Sequence, residues 1–149
     1  MGGLRRGATS SVLVRIGALE GFDVTNDESS ALVIGTPVYL DALAGVKKAR
    51  ANSATSKDVF GLMVPVSTLP SAVGLCAIGG VLTATTSQWD TVTGGGGGLA
   101  ANAKYYLDPA TAGMLTLTAP SAVGQYVVEI GIGISWTDLK IGIRRPILL

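Results

Sequence analysis

Residues 129–134 read Glu-Ile-Gly-Ile-Gly-Ile, so isoleucine and glycine alternate strictly along this part of the chain. A period of two places the isoleucines on one face of an extended strand and the glycines on the other. A face made of glycine is flat, and another backbone can approach it closely. The same alternation appears in Lys-Ile-Gly-Ile-Arg at residues 140–144. Both stretches predict β-strands.

Other short runs along the chain have the same β-forming character. They are rich in Val, Ile, Tyr and Trp, and Gly, Pro, Asn or Asp separates most of them at short intervals. Helix-forming composition is confined to residues 42–51, where Gly45 interrupts it. We therefore predict an all-β fold. The predicted strands, which overlap the two stretches above, lie in residues 11–16, 31–34, 37–40, 59–64, 126–134 and 139–143.

Two segments of the chain resemble each other and predict repeated hairpins. In each, a strand ends in Tyr-Leu, an aspartate opens a turn, and a glycine with positive φ closes it. Two similar hairpin units predict a compact, pseudo-symmetric β-barrel or β-sandwich instead of two independent domains. The shared features are Tyr-Leu-Asp at residues 39–41 and 106–108, glycine at 45 and 113, and an apolar-Gly-apolar step at 60–62 and 130–132.

The two ends of the chain carry the predicted partner interface. Residues 17–149 are expected to form a single all-β domain, and residues 1–16 an extended N-terminal arm that adds a strand to a neighbour's sheet edge. Arginines in the arm and near the C-terminus would pair with carboxylates of the partner. A frayed arm and an ordinary last strand are the open alternative. The candidate interface residues are Leu4, Arg5, Arg6, Val12, Val14, Arg15, Arg144, Arg145, Ile147 and Leu148.

The composition favours a protein that is covered by other protein. Charged residues make up 14% of the 149 residues, against about 25% in ordinary soluble domains. Such a surface is expected to face partners. With a net charge of +1 and few aromatics near the arginines, nucleic acid is not an expected partner. Residues 59–89 are uncharged, but Pro65, Pro70 and several glycines argue against a membrane span.

The residues available for chemistry predict no enzyme, no metal and no cofactor. Without histidine, the chain lacks the commonest general base and zinc ligand. The five glycines at 94–98 are followed by Leu-Ala-Ala instead of Gly-Lys-Ser/Thr, so they are interpreted as a flexible surface loop. Cys76 is interpreted as a small buried hydrophobe. Candidates for paired carboxylates are Asp41, Asp58, Asp90, Asp108 and Asp138, although turn capping is the ordinary role for Asp41 and Asp108.

From Gly35 to Leu149 the chain resembles the small decoration, or cement, proteins of tailed-phage heads. The resemblance implies a structural virion protein, made in the host cytoplasm and placed on the capsid exterior. Such a protein would be a homotrimer that clamps neighbouring subunits of the major capsid protein. The resemblance rests on short motifs at residues 35–40, 46–52, 59–62, 79–82, 104–108, 113–116, 130–135 and 147–149.

Two other functions remain open from the sequence. A phage tail, baseplate or fibre module would share many of these strings. A carbohydrate-binding module would use Trp89 or Trp136 with nearby aspartates, since indole rings stack on sugars; burial at a strand end or a subunit interface is the competing interpretation of both tryptophans.

Overall fold

The computed structural model describes residues 13–16 and 19–149. Within these residues the chain forms fourteen strands and one short helix. They are β1 (Leu13–Ile16), β2 (Leu19–Asn26), β3 (Leu32–Val33), β4 (Pro37–Ala42), β5 (Gly45–Lys48), β6 (Val59–Met63), β7 (Ser67–Thr68), β8 (Val73–Thr83), α1 (Thr86–Thr93), β9 (Lys104–Leu107), β10 (Leu115–Thr116), β11 (Tyr126–Val127), β12 (Glu129–Gly133), β13 (Asp138–Ile141) and β14 (Ile147–Leu148).

Ten of the strands form one continuous sheet in the order β1-β2-β5-β4-β6-β8-β13-β12-β9-β10. The sheet closes on itself because β2 also pairs with β8, which makes β2, β5, β4, β6 and β8 a five-stranded barrel. β3 with β7 and β11 with β14 form two small additional sheets. The prediction of a compact all-β barrel or sandwich is confirmed, and the barrel is the form observed.

The two hairpin units occupy equivalent places in this sheet. The order β5-β4-β6-β8 in the first half matches β10-β9-β12-β13 in the second. Val38 pairs with Gly61 in the first half, and Tyr105 pairs with Gly131 in the second. A Cβ at either glycine would meet a backbone carbonyl oxygen of the next strand well inside 3.0 Å. The glycines therefore permit close backbone approach, as the alternation predicts.

The turns of the two hairpins differ from each other. Gly113 has φ of +77°, and the Asp108 carboxylate accepts hydrogen bonds from the amides of Ala110 (2.6 Å) and Thr111 (3.1 Å), as predicted. In the first hairpin the positive φ of 57° falls on Ala44, so the prediction for Gly45 is wrong. Gly45 is needed for space instead, because a Cβ there would collide with the Asp27 carboxylate.

The helix α1 was not predicted. Its N-cap is Thr85, whose hydroxyl accepts from the Gln88 amide while the Gln88 side chain accepts from the Thr85 amide, a complete capping box. Gly94 ends the helix in the left-handed conformation. The helix buries Trp89 and Val92. Residues 42–51, the only predicted helix-forming stretch, instead contain the β4–β5 turn and strand β5.

The buried apolar side chains form two clusters. The smaller fills the five-stranded barrel and contains Cys76, where burial raises the thiol pKa to about 12. This confirms the interpretation of Cys76 as a buried hydrophobe. The larger cluster joins α1 to the second half of the sheet around Trp89.

Candidate interaction surfaces

Two of the predicted N-terminal interface residues lie in an outer strand of the ten-stranded sheet. Val14 and Arg15 lie in β1, opposite Gly21 and Glu20 of β2. Residues 13–16 thus pair within the chain's own sheet, which differs from the prediction of an arm that leaves the body through residue 16. The other four predicted arm residues lie outside the described residues: Leu4, Arg5, Arg6 and Val12.

Two of the predicted C-terminal interface residues, Ile147 and Leu148, lie in a different sheet, and Arg144 and Arg145 precede its strand β14. β14 pairs with β11, so that Ile147 lies opposite Val127 and Leu148 opposite Tyr126. Arg144, Arg145 and Ile147 line one side of a shallow cleft of about 340 Å³ whose other lining residues are Val127 and Glu129. The structure therefore brings these three predicted residues together. We call the exposed residues of this region the C-terminal surface: Val123, Arg144, Arg145, Ile147 and Leu148.

Charge on the C-terminal surface is only partly compensated. The Nε of Arg144 lies 3.3 Å from one oxygen of Glu129, and the Nζ of Lys104 lies 3.3 Å from the other. The Arg144 side chain is 76% exposed, so this pair contributes little to stability. Within the described part of the chain Arg145 has no ion-pair partner. The surface thus combines an available guanidinium with exposed aliphatic side chains, a common composition of protein interfaces.

A second surface surrounds Trp136, one of the two tryptophans that the sequence offered for sugar stacking. The Trp136 side chain is 67% exposed, whereas Trp89 is fully buried and donates its Nε1–H to the Thr137 carbonyl at 2.8 Å. Trp136 borders a cleft of about 440 Å³ that we call the glycine-loop cleft. Its lining residues are Thr93, residues 95–98, Leu99, Ala100, Tyr105, Thr116, Leu117, Thr118 and Trp136.

The loop that forms one wall of this cleft is held in place by Asp90. The two carboxylate oxygens of Asp90 accept hydrogen bonds from the amides of Gly97 (3.1 Å) and Gly98 (2.8 Å). Gly98 has φ of +87° and lies so close to the Trp136 carbonyl that a Cβ would not fit. The five-glycine segment lies at the surface, as predicted, but its last two residues are fixed by hydrogen bonds instead of being a free linker.

Replacement of Asp90 by alanine is expected to loosen this loop. The variant loses both carboxylate acceptors, so we expect the free energy of unfolding to fall by about 1–2 kcal/mol. Urea denaturation followed by circular dichroism measures this change. Asp58→Ala is the control, because the Asp58 carboxylate is 66% exposed and pairs only with the adjacent Lys57. Equal stability of the two variants would show that the Asp90 contacts do not hold the loop.

Trp136 also lines a smaller cleft of about 340 Å³. Its other lining residues are Ala101, Ile134, Ser135 and Thr137. The backbone between the two clefts is well anchored, because the Trp136 carbonyl accepts a hydrogen bond from the Leu99 amide at 2.9 Å. The signal in the sequence was a tryptophan flanked by hydroxyl residues, Ser-Trp-Thr at 135–137.

The aspartates that were candidates for paired carboxylates have structural roles or simple ion-pair partners. Asp90 holds the glycine loop and Asp108 caps a turn, while Asp138 accepts a hydrogen bond from the Thr83 hydroxyl at 2.7 Å. Asp41 lies 3.9 Å from the Nζ of Lys47, and Asp58 lies 2.8 Å from that of Lys57.

Among the described residues, no group of three or more Asp, Glu or Cys side chains is arranged to hold a metal ion. Within residues 13–16 and 19–149, no helix has the length and apolar character that crossing a bilayer requires.

Comparison with known proteins adds no relative from which a role for these surfaces can be carried over. A scan against protein-family models found no match, and a search of curated proteins found no significant match.

Proposed function

We propose that the chain is a structural virion protein of the capsid-decoration type, which binds as a homotrimer to the major capsid protein on the outside of the shell. One observation carries the proposal: a chain with only 14% charged residues exposes many large apolar side chains. Thirteen are exposed among the described residues: Leu40, Leu43, Val66, Leu69, Val73, Leu117, Val123, Ile132, Ile134, Trp136, Ile147, Leu148 and Leu149.

These exposed side chains favour assembly with other protein chains over a monomeric state. Single exposed leucines are normal on proteins, but groups of them mark contact surfaces. Ile147 and Leu148 are adjacent on β14, beside Arg144 and Arg145. An interface with aliphatic side chains at its centre and arginines at its rim suits a large partner with a charged surface. A guanidinium also pairs specifically with a partner's carboxylate.

The architecture suits a structural protein that must resist mechanical load in a capsid shell. The β2–β8 pairing closes five strands into a barrel, and closure limits uncontrolled strand addition to these strands. β1 and β10 are the outer strands of the ten-stranded sheet. β1 forms the last part of the predicted arm of residues 1–16, and as an outer strand it leaves an edge at which a neighbouring chain can add a strand. Many identical copies on one shell would make modest individual contacts effective through multivalency.

The first experiment determines the mass of the purified chain and its binding to heads. Size-exclusion chromatography with light scattering gives the oligomeric state, and sedimentation with empty heads of the phage that encodes the chain gives binding. We expect a trimer that sediments stoichiometrically with heads. A monomer that stays in the supernatant would contradict the proposal.

Deletion of residues 1–12 is expected to abolish head binding without unfolding the protein. All described strands, including β1, remain in the truncated chain, so we expect its melting temperature to stay close to that of the full chain. Sedimentation with empty heads and a thermal melt measure the two effects. The double variant Arg144→Ala/Arg145→Ala is the comparison, because it alters the C-terminal surface and leaves the arm intact.

Two outcomes would contradict this prediction. If the truncated chain unfolds, residues 1–12 belong to the folded domain and are not an arm. If it sediments with heads like the full chain, the arm makes no contact with the shell, and a loss of binding in the double arginine variant would then locate the contact at the C-terminal surface.

A further inference from the structure

We propose that the glycine-loop cleft binds a neutral oligosaccharide, with the Trp136 indole as its stacking platform. This inference goes beyond the virion role and does not depend on it, because it concerns a different surface and a different kind of ligand. Of the two tryptophans that the sequence left open for sugar stacking, only Trp136 is accessible; Trp89 is fully buried.

The first support is the position of the exposed ring. The Trp136 side chain is 67% exposed although its backbone is fixed by the Leu99 amide. An indole combines a large apolar face with one N–H donor. Sugar rings present a face of C–H groups and an edge of hydroxyls, which an indole at the rim of a polar cleft complements.

The second support is the chemistry of the lining. Apart from Trp136 and the aliphatic residues 99, 100 and 117, the cleft is lined by threonine hydroxyls, the Tyr105 hydroxyl and glycine backbone. No charged side chain lines it. An ionic ligand would lose hydration here without gaining a counter-charge, which favours a neutral ligand.

The threonine hydroxyls are arranged so that they can donate to a ligand. The Thr93 hydroxyl oxygen already accepts from the Gly95 amide at 3.2 Å, and that of Thr116 accepts from the Thr118 amide at 3.1 Å. Each hydroxyl therefore keeps its own proton for another acceptor. Sugar hydroxyl and ring oxygens are such acceptors.

The third support is that the cleft is largely formed before any ligand arrives. Asp90 fixes Gly97 and Gly98, and the Tyr105 hydroxyl accepts the Ala100 amide at 2.8 Å. Little conformational freedom is then lost on binding, which raises the affinity that a given set of contacts provides.

The second cleft beside Trp136 indicates a ligand longer than one sugar. Trp136 lines both clefts, and Ser135 and Thr137 supply hydroxyls in the second one. A linear chain of sugars can cross the ring and fill both sides. A single sugar would use only one of them.

The test measures binding of defined neutral hexasaccharides to the full-length chain: β-1,4-linked glucose, α-1,4-linked glucose and β-1,4-linked N-acetylglucosamine. A hyaluronan hexasaccharide is the charged comparison. Tryptophan fluorescence and isothermal titration calorimetry report binding. We expect at least one neutral hexasaccharide to bind at millimolar or lower concentration, with the charged one weaker. Trp136→Ala is expected to lower the affinity by about tenfold or more.

Two variants make the result specific to the cleft. Thr116→Val/Thr118→Val keeps the shape of both side chains and removes their hydroxyls, so we expect weaker binding with unchanged folding. Leu43→Ala removes a fully exposed apolar side chain at the β4–β5 turn and is expected to bind like the original chain.

Two results would overturn the proposal. The first is the absence of binding to every neutral hexasaccharide at millimolar concentration. The second is a lower oligomeric mass for Trp136→Ala in light scattering, which would make the indole a contact between copies of the chain and not a ligand platform.

Discussion

Replacement of Gly131 by alanine is expected to lower the free energy of unfolding by about 2–4 kcal/mol. The new Cβ would lie against the carbonyl oxygen of Lys140 and the Cα of Ile141 on β13. These are backbone atoms, which cannot rotate away as a side chain can. The strands β12 and β13 must move apart and weaken the pairing of Gly131 with Ile141. Urea denaturation followed by circular dichroism measures the loss.

Two other glycines provide matched controls for this prediction. A Cβ at Gly96 or Gly142 meets nothing within 4 Å, and neither residue has a positive φ. Alanine at these positions is expected to be neutral or to stabilise by a few tenths of a kcal/mol, up to about 1 kcal/mol, because it restricts the unfolded chain. Gly61→Ala should resemble Gly131→Ala, since Gly61 meets the Ala77 carbonyl in the other half. Similar stability of Gly131→Ala and Gly142→Ala would contradict the close packing of β12 on β13.

The sequence contained enough information to predict the two hairpins and their relation. Tyr106-Leu107 ends strand β9 as predicted, whereas Tyr39-Leu40 lies inside β4, which continues to Ala42. Gly61 and Gly131 lie in the strands that pair with β4 and β9. The period-two pattern of apolar residues and the choice of turn residues are local features, so they can be recognised from the sequence alone. The predicted role of Gly45 was wrong, because this glycine makes room for the Asp27 side chain, eighteen residues away, and does not supply the positive φ of the turn.

Barrel closure and the helix were harder to predict. β2 closes the barrel by pairing antiparallel with β8 and parallel with β5, and no local pattern specifies which strands far apart in sequence will meet. The helix α1 is short and contains three β-branched threonines and one valine, which have modest helix propensity. Thr85 and Gln88 do form a capping-box pattern in the sequence, and Gly94 follows as a C-cap signal. These two signals indicated a helix that the apolar periodicity did not.

The candidate surfaces were only partly predictable for the same reason. Arg144, Arg145 and Ile147 are close in sequence, so their common cleft follows from proximity. The glycine-loop cleft joins residues 93–100 to 116–118 and Trp136. Its formation depends on the hydrogen bonds that the Gly97 and Gly98 amides donate to Asp90, and on the fold that brings β10 beside α1. Apart from the flanking hydroxyl residues Ser135 and Thr137, nothing in the sequence distinguished the exposed tryptophan from the buried one.

Replacement of Trp89 by alanine is expected to lower the free energy of unfolding by about 3–5 kcal/mol. The ring is fully buried, packs against Gly35 and belongs to the larger core cluster. Its removal leaves a cavity and takes a hydrogen-bond donor from the Thr137 carbonyl. Trp89→Phe is expected to cost less, because most of the ring volume remains and only the N–H donor and the second ring are lost. Guanidinium denaturation followed by circular dichroism measures both variants.

Trp136→Ala is the matched control, and its result bears on both tryptophans at once. An exposed ring contributes little to the folded state, so we expect this variant to unfold within about 0.5 kcal/mol of the original chain. Near-equal losses for Trp89→Ala and Trp136→Ala would mean that the Trp136 ring is packed and cannot be a binding platform. A large loss for Trp89 alone assigns the two tryptophans opposite roles: Trp89 stabilises the attachment of α1 to the sheet, and Trp136 remains available for a ligand or a partner.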